Sequence, residues 1–481
     1  MKPTNGASLS LAELRNDIVG IDTKVPLLDG TERRYVFLDN AASTPAFRSV
    51  LKCVEDFLPW YSSVHRGTGF KAVVATNVYD QSHRIAGAFV GANPALNVVM
   101  FGKNTTECAN KLANRFELKP DDVVVATAME HHSNDLPWRK HCKVIHVGIN
   151  TDGGVNLQEL KDALATHKGK VKLVAVSGAS NVTGICSPIH DIAQWAHDVG
   201  AKIFVDAAQL APHRPIDILP NNDPRHIDFL AYSAHKMYAP FGIGVLIGPT
   251  EFFEKGAPDM VGGGTVSYVG LEEVEWGAPP QKDEAGTPNV VGAVALAEAL
   301  TVLGAVGMET IAQHEQELLE YTIPKMKKIP GVHVYGPTED FSSKVGVVPF
   351  TVDGLDHALV ATILSVEGGI GVRNGNFCAQ PYMRKLLGVT PEEERANRAD
   401  RCDNPIIPGM VRASFGCYTN TEDAEIFLAT LEMIARKQYK GTYTADPITG
   451  MYVAKGHRMN AAQHFRFFNP AETTPHGEEV A

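Results

Sequence analysis

Between residues 90 and 250, short apolar runs alternate with helical patterns, and this alternation limits the possible folds more than any other feature of the sequence. The runs are NVVMFG (97–102), DVVVAT (122–127), KVIHVG (143–148), KLVAVSG (172–178), KIFVDAA (202–208) and DFLAYSAHK (228–236). Helical patterns lie between several of them, at Thr106–Phe116, Asn156–Thr166 and Ile189–Val199. Continuous apolar strands joined by helices predict an α/β fold with a mainly parallel sheet covered on both faces. Ligands of such sheets bind at the carboxyl ends of the strands, so functional residues are expected immediately after each run.

The pattern changes after residue 290, which predicts a second, smaller α+β unit. Helices are expected at 289–307, Glu315–Lys328, Ala358–Val366 and Glu422–Arg436, with strands at VHVYG and VGVVPFTV. We predict an N-terminal arm (1–34) that contributes to the small domain, a large domain (35–300), a small C-terminal domain (301–440) and a C-terminal extension (441–481). The polar segment 389–410 is expected to be an insertion.

Composition excludes several function classes. The 481 residues carry a net charge of −11, which disfavours binding to nucleic acid or to an anionic membrane. No apolar stretch is long enough to span a bilayer, and the polar N-terminus does not resemble a secretory signal. The seven cysteines include no CxxC pair, so neither a disulfide framework nor a metal site is predicted. We therefore expect a cytoplasmic protein.

Two charged residues at predicted strand ends indicate the chemistry. Asp206 closes KIFVDAAQ, and Lys236 ends Ser233-Ala234-His235-Lys236, thirty residues later (236 − 206). Pyridoxal phosphate requires a lysine that holds it covalently, a carboxylate that keeps its ring nitrogen protonated, and donors to its phosphate. Asp206 and Lys236 meet the first two requirements, and Ser233 and His235 can donate to the phosphate. Gly102–Glu107, which contains Thr105 and Thr106, opens a helix after a strand and so provides a further anion site.

These residues belong to a longer series of motifs. They are LDNAAST (38–44), VHRG (64–67), TTE (105–107), MEHHSNDLPW (129–138), SNVTG (180–184), VDAAQ (205–209), SAHKMYAPFGIG (233–244), EAGTPN (284–289), VRNGNFCAQPYM (372–383) and RAS (412–414). In this order they resemble the class V branch of the fold-type I pyridoxal-phosphate enzymes, and within it the group II cysteine desulfurases and selenocysteine lyases. The resemblance runs from about Tyr35 to Leu431. It implies a large domain with a seven-stranded, mainly parallel sheet and a small C-terminal domain.

The resemblance also implies a role for each matching residue. Lys236 matches the lysine that carries the cofactor, Asp206 the partner of the ring nitrogen, Gln209 the donor to the phenolate oxygen and His131 the imidazole on the ring face. Thr106, Ser233 and His235 match the phosphate site, and Thr287 matches a residue that reaches the phosphate of a neighbouring subunit. A homodimer with shared active sites follows from that last match. Asn181 and Arg412 match the groups that bind the substrate carboxylate, a task suited to the planar fork of arginine.

Cys378 distinguishes between the activities in this family. It lies in Arg373-Asn374-Gly375-Asn376-Phe377-Cys378, where turn-forming residues predict a loop. In the resembling desulfurases this cysteine takes up the sulfur of the substrate as a persulfide, and a sulfur-acceptor protein can then receive it. A nearby positive charge favours the required thiolate, with Arg373, His65 and Arg66 as candidates. Family members often have His-His before the cysteine, whereas this chain has Asn376-Phe377.

Three functions are compatible with these residues. The first is a cysteine desulfurase or selenocysteine lyase that forms L-alanine. The second is another class V enzyme, such as a β-eliminase, aminotransferase or epimerase, which would need Lys236, Asp206 and Arg412 but not Cys378. The third is a scaffold protein that retains the fold without catalysis.

Overall fold

The N-terminal region contributes to more than one part of the fold. The computed structural model describes residues 9–399, 408–447, 449–457, 463–465 and 467. It begins with α1 (Leu11–Asn16), β1 (Lys24–Pro26), β2 (Glu32–Arg34), β3 (Val36–Phe37), α2 (Arg48–Phe57) and α3 (Phe70–Ala88). Leu14 of α1 packs in the main core, whereas Val36 of β3 packs in the core of the C-terminal part. Val36 lies just outside the predicted arm 1–34. Within the arm, Leu14 packs in the main core, while Arg15 and Arg34 pair with Asp423 of the C-terminal part, each at 2.8 Å.

A seven-stranded sheet forms the centre of the molecule. Its strands are β4 (Asn97–Gly102), β5 (Val123–Thr127), β6 (Lys143–Val147), β7 (Val171–Ser177), β8 (Lys202–Asp206), β9 (Phe229–Ser233) and β10 (Gly244–Pro249). They are ordered β4-β10-β9-β8-β7-β5-β6, and β10 runs in the direction opposite to that of the other six strands. The prediction of a mainly parallel sheet with six of these strands is confirmed. The sequence reading did not include β10.

Helices cover both faces of this sheet. The helices that alternate with the strands along the chain are α4 (Thr105–Arg115), α5 (Leu136–Arg139), α6 (Leu157–Thr166), α7 (Ile189–Asp198) and α8 (Thr250–Glu254). The hairpin β11 (Val266–Val269) and β12 (Val274–Trp276) follows α8. Successive strand residues face opposite sides. In β4, Val99 and Phe101 pack in the core on one face, and Val98 and Met100 in the core on the other. Burial on both faces explains why these strands lack polar alternation.

The C-terminal part is an α+β arrangement. Its elements are α9 (Val290–Val306), α10 (Met308–Met326), β13 (Val332–Val334), β14 (Val347–Val352), α11 (His357–Gly368), β15 (Ile370–Gly371), β16 (Arg373–Gly375), α12 (Gln380–Leu386), α13 (Pro391–Ala399), β17 (Met410–Ser414), α14 (Thr421–Ala435), β18 (Tyr443–Ala445) and β19 (Tyr452–Ala454). Strands β13, β14, β17 and β16 form an antiparallel sheet in that order. The helix predicted from Glu315 begins earlier, at Met308, because Gly307 with φ +91° ends α9 and α10 starts at the next residue.

The two polar segments that were predicted to be additions have structure of their own. Part of the 389–410 insertion forms α13, while residues 400–407 lie outside the described residues. The extension after Gly441 includes the β18–β19 hairpin, and the Tyr443 hydroxyl donates to Glu367 of α11 at 2.6 Å. In the described part of the chain, no single helix is both long and apolar enough to cross a membrane. The α9–α10 pair, bent by 72°, meets that criterion only when both helices are counted together.

Candidate active site

A cavity of about 450 Å³ opens at the carboxyl ends of the central strands. Twelve of the residues that the sequence singled out line it: Thr105, Thr106, His131, Asn181, Asp206, Gln209, Ser233, His235, Lys236, Arg373, Cys378 and Arg412. They come from both parts of the chain, since β16, β17 and the loop between β16 and α12 close the cavity from the C-terminal side. The residues that the sequence singled out therefore lie together around one cavity, and their functional roles stay predictions.

Asp206 and Lys236 lie at the ends of neighbouring parallel strands. Asp206 is the last residue of β8, and Lys236 ends the short 3₁₀ turn that follows β9. Burial raises the pKa of Asp206, although an N–H from Ala208 and the charge of Lys236 oppose this shift. Burial lowers the pKa of Lys236 to about 8, against the attraction of Asp206. A buried carboxylate and a lysine whose amine is partly neutral near neutral pH therefore share one cavity.

The start of α4 lines the cavity, and the backbone N–H of Thr105 donates to the Ser233 hydroxyl at 2.8 Å. The N-cap Asn104 accepts from Glu107, and the hydroxyl of Thr105 lies 2.7 Å from that of Ser233. The hydroxyl of Thr106 lies 2.6 Å from that of Ser133, a residue that the sequence reading did not select. Hydroxyls and a helix N-terminus in this arrangement form a site suited to an anion such as a phosphate.

A glycine allows the start of α4 to approach the sheet. Gly244 is the first residue of β10, and a Cβ atom at this position would lie 2.5 Å from the backbone carbonyl carbon of Asn104. Strand β10 runs between β4 and β9, so this contact fixes how closely the helix approaches the strand before Lys236. The missing side chain at Gly244 thereby sets the position of the anion-binding wall.

His131 holds a neutral imidazole in the cavity. Burial, followed by the positive charge of Lys236, lowers its pKa to about 3. Its Nδ1 accepts the backbone N–H of Ser133 at 3.1 Å, so the proton of the neutral ring is on Nε2. The preceding Glu130 is buried and accepts from Thr127, Asn134 and Ser177, and burial raises its pKa to about 7. Glu130 thus ties the His131 segment to β5 and β7.

Arg412 on β17 lines the cavity and is already engaged by protein groups. Its guanidinium donates to the carbonyl of Asn181 at 2.9 Å and to Asp39 at 3.1 Å, and Arg373 pairs with the other oxygen of Asp39 at 3.0 Å. Burial lowers the pKa of Arg412 to about 10, and Asp39 opposes that shift. Asp39, which the sequence reading did not select, therefore holds two arginines at the site.

Cys378 is exposed and lies on a loop between β16 and α12, as the sequence predicted. Phe377 and Cys378 both have left-handed backbones, with φ of +49° and +54°, which is a strained conformation for residues other than glycine. Contacts across the cavity hold the loop in place. Asn181 donates to the Phe377 carbonyl at 2.7 Å, and the backbone N–H of His132 donates to the Cys378 carbonyl at 2.8 Å. The Phe377 ring also covers the Arg412 guanidinium at 4.8 Å.

The structure does not bring His65, Arg66 or Thr287 into this cavity. Nε2 of His65 lies 3.0 Å from Asp80 on α3, and Arg66 lies beside Gly264. Thr287 follows Glu284, whose carboxylate accepts from Tyr79, His83 and the backbone N–H of Phe101 in a buried anchor. The three residues belong to one region of the surface, and their roles stay predictions.

One group with metal-ligand chemistry lies at the amino ends of β8 and β9, away from the cavity. The ligand atoms of His197, His226 and Asp228 lie within 4.8 Å of one another. Lys202 is 2.7 Å from the same Asp228 carboxylate, whose side chain is fully buried. Although burial alone would raise the pKa of Asp228, the two histidines and Lys202 hold it well below its usual range. The cluster is accounted for as a network of ion pairs.

Comparison with known proteins places this site in a family. The sequence model of the class V aminotransferases matches residues 36–427. This chain belongs to the class V aminotransferase family. A protein of Halalkalibacterium halodurans named "Probable cysteine desulfurase" is 34% identical over 415 residues, covering 84% of this chain and 94% of that protein. A "Probable cysteine desulfurase" of Staphylococcus aureus is 33% identical over 433 residues, covering 88% of this chain and 98% of its own length.

Solved structures agree with this family assignment. The apo structure of a cysteine desulfurase from Thermococcus onnurineus has a TM-score of 0.77 and 32% identity, and the match covers 90% of this chain and all of that one. A cysteine desulfurase from Escherichia coli has a TM-score of 0.74 and 26% identity, with 90% and 100% covered. The expected class V, fold-type I architecture is confirmed.

Proposed function

We propose that this protein is a cysteine desulfurase that depends on pyridoxal phosphate and converts L-cysteine to L-alanine, with the sulfur transferred to Cys378. One observation supports the assignment above the others: an exposed cysteine thiol faces the same cavity as Lys236 and Arg412. The names of the curated relatives support the same activity. An aminotransferase would need the lysine and the arginine but would have no use for a thiol at this position.

The residues of the cavity fit pyridoxal phosphate. Asp206 offers a buried carboxylate for the ring nitrogen, Lys236 an amine of lowered pKa for the carbonyl carbon, and the start of α4 with Ser233 an anion site. His131 and Gln209 line the space between these groups. A single cavity therefore contains the donors, the acceptor and the nucleophile that this cofactor requires. We propose the same residues, with Thr105, Thr106 and His235, as its binding site.

Each residue then has a defined task. When bound, the cofactor supplies an electron sink for negative charge at the substrate Cα. The lowered pKa of Lys236 lets its amine accept the Cα proton near neutral pH. Arg412 binds the substrate carboxylate, which replaces Asp39 as its partner, and Asn181 borders the same space. The neutral imidazole of His131, which lines the cavity, would lie against the ring of the bound cofactor.

The sulfur transfer balances without a further reactant. The Cys378 thiolate attacks the substrate sulfur, so the Sγ–S bond forms and the substrate Cβ–S bond breaks. The electron pair of the broken bond stays on Cβ, which takes up a proton and becomes the methyl group of alanine. The enzyme is left with a persulfide on Cys378. We propose that a sulfur-acceptor protein or small thiol then removes this sulfur.

We also propose a homodimer in which each chain completes the active site of the other. Thr287, His65 and Arg66 lie outside their own cavity, as residues that serve a partner's cavity would. Exposed apolar side chains lie on α2, on α3 and between them, which is typical of an interaction surface: Leu51, Leu58, Trp60, Tyr61, Phe70 and Val73. The six cysteines that the structure describes are free thiols, which supports a cytoplasmic location.

The test compares Cys378→Ser with Cys142→Ser, which alters a partly exposed thiol outside the cavity. Alanine and sulfide released from L-cysteine are measured together with the mass of the intact protein after brief exposure to cysteine. We expect Cys378→Ser to lose sulfide release and the sulfur adduct of about 32 Da, because a serine oxygen cannot carry a persulfide. Cys142→Ser should retain both. If Cys378→Ser keeps its rate and wild type forms no adduct, another class V reaction replaces this proposal, and turnover of selenocysteine alone would indicate a selenocysteine lyase.

A further inference from the structure

A buried chain of hydrogen bonds leads from the cavity through Gln209 into the C-terminal part of the molecule. Nε2 of Gln209 lies 2.9 Å from Nε2 of His213, and Nδ1 of His213 lies 2.5 Å from a carboxylate oxygen of Glu315 on α10. The other oxygen of Glu315 accepts the backbone N–H of Gly346 at 3.2 Å. Exposure of Gln209, His213 and Glu315 is 3%, 2% and 0%. Three buried polar side chains in contact are costly unless every hydrogen bond is satisfied.

The proton positions along this chain follow from the donors at its two ends. The N–H of Gly346 can only donate, so one oxygen of Glu315 is an acceptor. Imidazole is a stronger base than a carboxylate, so the proton between Glu315 and His213 belongs to Nδ1 of His213. At the other end of the chain, Oε1 of Gln209 accepts from Lys236, which places the amide nitrogen beside Nε2 of His213; an amide nitrogen can only donate, so Nε2 accepts and the ring is neutral. The amide nitrogen of Gln209 must then be the group that donates to His213.

The opposite end of the amide agrees with this orientation. Oε1 of Gln209 faces Lys236, whose Nζ lies 3.4 Å away. An ammonium can only donate, so a carbonyl oxygen is the suitable group toward it. The amide nitrogen has two hydrogens; one is directed to His213, and the second is available to the cavity that Gln209 lines.

We propose that His213 and Glu315 are positioning residues that hold the Gln209 amide with an N–H, and not its carbonyl oxygen, available to the ring oxygen of the bound cofactor. This inference rests on the proposed cofactor site. The two orientations of a glutamine amide have nearly the same shape, so packing alone does not select one. A carbonyl oxygen toward an anionic ring oxygen would be repulsive, whereas an N–H stabilises it.

The same chain connects the cofactor side of the cavity with the substrate side. Gly346 accepts the backbone N–H of Phe415 at 2.7 Å, and Phe415 follows β17, which carries Arg412. Glu315 therefore contacts both the Gln209 segment and the strands that position the substrate-binding arginine. This placement explains why a carboxylate on α10, outside the cavity, is buried at this point.

The first test measures the tautomer of His213 in the wild-type protein without cofactor or substrate. Protein labelled with ¹⁵N-histidine is compared with a His213→Asn variant, which identifies the signals of His213 by their loss. We expect a protonated Nδ1 and an unprotonated Nε2. In Glu315→Gln the side-chain amide can donate to Nδ1, so the tautomer should invert. A wild-type signal of an imidazolium or of the Nε2–H tautomer would overturn the proposal, because Gln209 would then have to present its oxygen to His213.

The second test uses the holoprotein. In Glu315→Gln the Gln209 amide should turn, and the pKa read from the visible absorption band of the lysine-bound cofactor should rise by about one unit. We expect kcat for cysteine to fall about tenfold while KM changes less than twofold. The control is Thr322→Val on the same helix, which removes a buried hydroxyl that has no hydrogen-bond partner among the described residues. Equal spectral shifts in both variants would reduce Glu315 to a structural role.

The two tests separate this inference from the proposed function. The tautomer is measured without cofactor and without turnover, so it does not depend on whether cysteine is the substrate. A protein that binds the cofactor, shows the expected tautomer and spectral shift, but forms no persulfide would contradict only the desulfurase proposal.

Discussion

Rebinding of pyridoxal phosphate to the cofactor-free protein should depend on pH through the amine of Lys236. Only the neutral amine can attack the carbonyl carbon of the cofactor. With a pKa of about 8, roughly 9% of Lys236 is neutral at pH 7, whereas a lysine of ordinary pKa, about 10.4, would be about 0.04% neutral. Burial of Lys236 therefore increases the reactive fraction roughly 200-fold.

The assay follows the visible band of the lysine-bound cofactor in a stopped-flow instrument between pH 6 and pH 10. We expect the rate to rise about tenfold per pH unit below pH 8 and to level off above it. Asp206→Asn removes the charge that opposes the shift, so the plateau should begin at a lower pH. Asp217→Asn, outside the cavity, should leave the profile unchanged. A rate that still rises tenfold per unit above pH 9 would refute the reasoning.

Three further predictions follow from other parts of the structure. Asp228→Asn should cost about 3 kcal/mol of unfolding free energy at pH 7. Because the folded pKa of Asp228 is depressed well below its unfolded value, the difference from wild type in urea unfolding should begin to shrink as the pH falls below about 4 and should disappear only once the pH falls below the folded pKa. Light scattering should give twice 52.0 kDa, and a fully active monomer would contradict the proposed role of Thr287. Phe377→Ala removes the ring from Arg412, an interaction of about 1 kcal/mol that helps to hold the Cys378 loop in place. Because the loop would then open more often, iodoacetamide should alkylate Cys378 roughly fivefold faster.

Much of the fold could be predicted from local sequence patterns. The six apolar runs became six strands, because buried parallel strands need continuous apolar residues whatever their neighbours are. Strand β10 was missed because GVLIGP directly follows the lysine motif and is bounded by Gly244 and Pro249, residues that usually interrupt strands. Its antiparallel pairing with β4 depends on a chain reversal that local patterns do not encode.

The candidate site divides in the same way. Lys236 and Asp206 could be predicted because charge at the end of an apolar strand is unusual in itself. Asp39 could not, since its importance comes from Arg412, which is 373 residues away in the chain. Glu315 looks like any polar residue of an amphipathic helix until α10 packs against the His213 segment. Residues whose role is to hold other residues can be recognised only when the contacts are known.

The close approach at Gly244 has a consequence for how mutational data on this protein would be interpreted. A methyl group at residue 244 would push against the backbone of Asn104 and displace the start of α4. In a saturation screen selected for activity, position 244 would then rank with the residues of the anion site, although it has no side chain to offer a ligand. Substitutions at such a position fail because two stretches of backbone lie too close together for a side chain. A map of essential positions would therefore include residue 244 although it contacts no ligand.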